Sequence, residues 1–174
     1  LIIKSSLLAE RDLYEWLVHW EKIMRSNGED TDYLFVPYTL SPPDTNIVIF
    51  GVKKKTSNSL SEMNEVTRLV YENFTIQTEL GEREYSYTQP FFLSKTEFQE
   101  PMYPFKVLKP LLTRYFQSHP RRIRNEYKSN GLVVLRATVM NPYLWLARAT
   151  SSQPLIKEFM EVLSKAASES VKRV

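Results

Sequence analysis

Arg114, Arg121, Arg122, Arg124 and Lys128 fall within fifteen residues, with Tyr115, Phe116 and Tyr127 interleaved among them. A guanidinium grips phosphate through two parallel donors, and aromatic rings stack on unpaired bases. The mixture therefore points to single-stranded or structured nucleic acid, RNA or DNA. An acidic protein surface would satisfy the same arginine forks. A second basic run, Lys53-Lys54-Lys55, closes an apolar stretch and extends the same expectation.

The groups of nucleophilic and metal chemistry are scarce. Gly28, Gly51, Gly81 and Gly131 are the only glycines and lie too far apart for a dinucleotide fingerprint or a phosphate-cradling loop. Without cysteine there is no disulfide framework, thiol nucleophile or thiolate metal site. His19 lies beside tryptophan on a helical stretch and His119 precedes Pro120, so both read as structural or solvated, and no glycine-flanked serine marks a nucleophile elbow.

Pro43-Asp44 ahead of an apolar strand, with Lys53 beyond it, is similar at two positions to the PD-(D/E)xK nuclease pattern. Gly51 stands where that pattern needs its second acid. One carboxylate competes poorly with water for magnesium, so Asp44 reads as a turn residue. Glu82/Glu84 and Glu97/Glu100 lie in polar stretches and read as solvated acids. The expectation is no metal and no cofactor.

Charge is divided along the chain. Residues 1–87 carry 9 Lys/Arg against 14 Asp/Glu, and residues 88–174 carry 14 against 6, so the two halves have net charges of −5 and +8. Such asymmetry points to an anionic partner, or to two halves that neutralise each other on folding. Aromatic residues make up 13% of the chain, and tyrosine, tryptophan and arginine dominate protein interfaces. Trp16 and Trp20 on the first helix are candidates for such a surface, with a core role as the plainer reading.

Periodicity supplies the elements that position these groups. Leu13, Trp16, Leu17, Trp20 and Met24 recur at helical steps and predict a helix over 6–27, capped by Ser6. Two β-rich segments, 33–40 and 46–54, flank Ser41-Pro42-Pro43-Asp44 and predict an antiparallel pair. Ser59 and Glu62 have capping-box spacing for a helix over 60–73. A hairpin is expected over 75–92, a short helix from Pro110 to Gln117, and a central hairpin from 132–140 and 143–149. A last helix begins at Pro154 and frays from Ser168.

This order predicts one α+β domain over residues 1–174, a mainly antiparallel sheet with about four helices packed on it. The initial Leu1, in place of Met, reads as the start of a fragment or of a processed product. The functional expectation is a non-catalytic interaction module of an intracellular assembly, nuclear, cytoplasmic or mitochondrial. Its partners would be protein subunits and nucleic acid, without a membrane. The alternative is a metal-dependent nuclease, or another phosphate-processing enzyme, with a carboxylate site that cannot be recognised from sequence.

Overall fold

The computed structural model describes residues 2–26, 34–75, 91–116, 120–138 and 154–174. Its centre is a four-stranded sheet in the order β1-β2-β4-β3, with every neighbouring pair antiparallel. Strand β1 (Phe35–Thr39) and β2 (Ile47–Lys54) form the expected hairpin, with Phe35 opposite Lys54 and Thr39 opposite Phe50. Strand β4 (Leu132–Thr138) lies between β2 and β3 (Ser94–Phe98).

Alternation along the central strands divides the core between the two faces of the sheet. Val48, Phe50, Val52, Leu135 and Ala137 pack with α1 (Ile2–Ser26) and α5 (Pro154–Arg173), notably with Leu13, Leu17, Phe159 and Leu163. Tyr38, Leu132 and Val134 pack with α3 (Phe105–Tyr115) and α4 (Pro120–Asn130), notably with Leu112, Tyr115, Ile123 and Tyr127. Helix α2 (Leu60–Glu72) serves both clusters, Leu60 and Met63 joining the second and Val66 and Val70 the first. A strand covered on both sides needs the unbroken apolar run Ile47–Phe50. The α+β class with helices packed on an antiparallel sheet is thus present, with five helices among the described residues.

Tyr38 fixes the middle of this sheet. Its ring crosses the strand at Gly51, its register partner, and its hydroxyl donates to the Val133 carbonyl at 2.8 Å. A Cβ at position 51 would run into the phenol. The residue that interrupts the nuclease pattern is therefore there to let an aromatic ring pass.

Several local expectations change. Helix α1 begins before Ser6, which lies inside it rather than capping it. Helix α3 starts after Pro104, so Pro110 is interior and leaves the Lys106 carbonyl without its helical donor. Pro120 opens a helix of its own, at a first-turn position where its missing N–H costs nothing. Strand β3 was not anticipated, because Lys95 and Glu97 give an exposed edge strand the look of a polar loop. Helix α5 persists to Arg173 because Ala167, Ser170 and Val171 are buried. β4 is flanked by β2 and β3, and the expected hairpin partner of this strand, 143–149, lies outside the described residues. Most of the expected 75–92 hairpin lies outside them too.

Ser59 Oγ accepts from the Glu62 N–H, as half of a capping box, at 3.4 Å. Glu126 of α4 supplies a second cap by accepting from the Leu60 N–H at 2.7 Å, a carboxylate at the positive end of a helix. No helix among the described residues is long and apolar enough to cross a membrane.

Candidate functional site

Glu21 lies on the buried stripe of α1, one turn beyond Leu17 and one before Met24, and is 1% exposed. A carboxylate there must be matched by donors. Arg25 Nε and Arg114 Nη2 approach the same oxygen, Oε1, at 3.2 and 3.1 Å. Tyr115 OH donates to Oε2 at 2.8 Å and Thr39 Oγ1 at 3.5 Å. One side chain of α1 thereby joins β1 and α3.

The guanidiniums are fixed a second time. The guanidinium carbons of Arg25 and Arg114 lie 4.5 and 5.5 Å from the centroid of the Tyr115 ring, within range of a cation–π attraction. Burial and the Glu21 carboxylate push the Tyr115 hydroxyl well above the usual tyrosine range, so it remains a donor.

Lys53, near the end of β2, is only 6% exposed. Its Nζ donates to the carbonyls of Ser57 at 2.6 Å and Tyr115 at 3.0 Å and lies 5.2 Å from the Phe116 ring centroid. Burial first, and the nearby Arg25 second, lower this ammonium to about 8. Between these groups opens a cavity of about 300 Å³, whose lining includes Arg25, Lys53, Lys55 and Arg114, with Thr56 and Asn58 on its loop side. Four cationic side chains share it, and Glu21 behind them is the carboxylate that pairs with two of them.

The structure sorts the anticipated residues. Arg114, Lys53 and Lys55 converge on this cavity, although they are 61 residues apart along the chain at the extremes of that set. Lys54 lies opposite Phe35 on the other side of β2 and is half-buried. Arg121, Arg122, Arg124 and Lys128 are on the outer side of α4, where Arg122 pairs with Glu126 at 2.8 Å. Tyr127 is buried and donates its hydroxyl to the Tyr103 carbonyl at 2.6 Å, so it offers no ring to a base. Trp16 and Trp20 are half-buried, and Trp20 meets Phe35 edge to face at 5.3 Å. Asp44 is exposed beyond the far end of β2 from Lys53, and no group of three or more potential metal-binding side chains occurs among the described residues.

Glu21 and Arg25 were not anticipated. Their signal was present: an acid at a position that the helical period assigns to the apolar face calls for a buried cation partner.

A family model described as tyrosine decarboxylase, C-terminal, matches residues 30–170. No curated protein matches the chain. The family match overturns the expectation of a non-catalytic, nucleic-acid-binding nuclear scaffold, together with its nuclease alternative, because the matched domain belongs to a decarboxylase. The interleaving behind that expectation is the division of a helix: Ile123 and Tyr127 face the core while the arginines face water.

Proposed function

Because the chain belongs to the tyrosine decarboxylase C-terminal family, we propose that it forms the C-terminal part of an enzyme that releases the carboxyl group of tyrosine, or of a closely related aromatic amino acid, as carbon dioxide. The observation that carries this reading is the extent of the match, residues 30–170 of 174, which takes in every strand, α2, α3 and α4, and most of α5.

Breaking the bond from the α-carbon to its carboxylate leaves an electron pair on carbon, and pyridoxal phosphate supplies an electron sink for such chemistry when bound. The described residues do not fit that group. Lys53 is already committed to two carbonyls, and the Glu21 carboxylate is held by two arginines. Gly51 and Gly131, which could have let a phosphate approach the backbone, are covered by Tyr38 and Gln99. No catalytic step is therefore derived for these residues. In this reading they contribute an α+β support whose surface carries a cationic cavity.

The test is release of labelled carbon dioxide from carboxyl-labelled tyrosine by the native protein that carries this chain, supplied with pyridoxal phosphate. Stoichiometric release with formation of the matching aromatic amine is expected. No turnover of tyrosine or any other aromatic amino acid would overturn the reading.

A further inference from the structure

We propose that Glu10 is a pH latch for the first half of α1: its carboxyl is buried as the neutral acid, and ionisation of that carboxyl loosens the helix from the sheet. This goes beyond the decarboxylase reading, and its test does not depend on it.

Position carries the first part of the argument. Glu10 lies one turn before Leu13 on the stripe that α1 buries, and it is only 3% exposed. That stripe enters an apolar cluster with Phe35 from β1, Val48 and Phe50 from β2 and Phe159 from α5. An ionised carboxylate on such a stripe is costly unless donors match it.

The two acids of the stripe are matched differently. Glu21, about three turns later, receives Arg25, Arg114, Tyr115 and Thr39. Glu10 Oε1 is buried and has no hydrogen-bond partner among the described residues. The adjacent Arg11 turns its guanidinium to Glu15 instead, with Nε 3.2 Å from that carboxylate, and both of those side chains are exposed.

The proton then decides how well the helix is held. Among the described residues, Arg11 on α1 and Asp44 in the turn between β1 and β2 are the charged groups that act on Glu10. Burial, opposed by Arg11 and reinforced by Asp44, holds the carboxyl above its ordinary 4.5. The docked helix therefore binds the proton more tightly than a released one. Docking is strongest below pH 4.5 and weakens as pH rises through the raised value.

The first half of α1 is the part that responds. Leu7 and Leu8 are 39 and 38% exposed, so Ala9, Glu10 and Leu13 are the buried residues that hold its described part. A segment fastened by so few side chains can open locally while the central strands stay paired.

The experiment is hydrogen–deuterium exchange of the whole chain at pH 5 and pH 7, below the value of about 8 to which Lys53 is lowered. Protection of α1 amides over residues 7–17 is read relative to α2 amides, each corrected for its intrinsic exchange rate. In the parent this ratio is expected to fall at least about fivefold from pH 5 to pH 7. Glu10→Gln, which cannot ionise, should give the same ratio at both pH values, and Glu10→Leu, which also removes the buried polar group, serves if that variant does not fold. His19, exposed on the same helix, is kept in both variants, so its contribution is separated from that of Glu10. A parent ratio that does not change, whether because α1 keeps its protection or because α2 loses as much, would overturn the proposal. So would an undiminished fall in the Glu10 variants.

Discussion

Tyr115 donates its hydroxyl to Glu21 at 2.8 Å while its backbone carbonyl accepts from Lys53 at 3.0 Å. One residue at the end of α3 is thus tied to α1 by its side chain and to β2 by its backbone. Removing the hydroxyl in Tyr115→Phe takes a donor from a buried carboxylate and is expected to cost about 1.5–3 kcal/mol. Glu21→Gln leaves two guanidiniums around a neutral amide and should cost about 3–5 kcal/mol. Because both changes break the same bond, the double variant should lose clearly less than the sum of the single losses. Urea denaturation of the four proteins measures this, and strict additivity would show that the bond contributes nothing.

Gly51→Ala tests why the central strand has no side chain there. The added methyl meets the Tyr38 phenol, whose hydroxyl is held by Val133 across the sheet. Relief requires moving a ring that is fully buried in a packed core, so the expected loss is at least about 3 kcal/mol. Tyr38→Phe alone keeps the ring and leaves one carbonyl unpaired, for about 1–2 kcal/mol. If Gly51→Ala were the milder of the two in denaturation, the close passage would be refuted.

Asn64 joins α2 to the start of β4. Its amide oxygen accepts from the Val133 N–H at 2.9 Å, and its amide nitrogen donates to the Gly131 carbonyl at 3.1 Å. Asn64→Leu leaves both backbone groups buried without this partner and should cost about 3 kcal/mol. Asn64→Asp keeps the acceptor but aims an anion at the Gly131 carbonyl, which raises the carboxyl above its unfolded value. Its deficit relative to the parent should therefore shrink at pH 4 and grow toward pH 7. Equal deficits at the two pH values would contradict this geometry.

Much of this architecture was legible because its signals are local. The hairpin 35–54, the helix beginning after Ser59 and the final helix each carry their period and punctuation within one segment. The site was legible only in parts. Lys53, Lys55 and Arg114 stood out as charges, but that they share a cavity depends on packing α3 against the end of β2, which no local pattern encodes. The basic cluster on α4 misled for a related reason: 3.6-residue periodicity separates neighbours in sequence onto opposite sides of a helix. Strand β3 was missed because an exposed edge strand and a polar loop have the same composition.

Lys53 makes the stability of the fold depend on pH. Its ammonium titrates near 8 in the folded protein and near the ordinary 10.5 in the unfolded chain. Between those values the unfolded chain binds the extra proton, so stability from this group rises with pH through that window and is lost as pH falls through 8. Among the described residues, Arg25 and Glu21 from α1, Arg114 and Tyr115 from α3, and Lys55 from beyond β2 are the charged and titratable groups around it. Tyr115, held well above the usual tyrosine range, remains neutral through this window. In Lys53→Met the rise in stability between pH 8 and 10.5 should diminish, which urea denaturation at the two pH values measures. A rise as large as the parent's would show that Lys53 does not set this dependence.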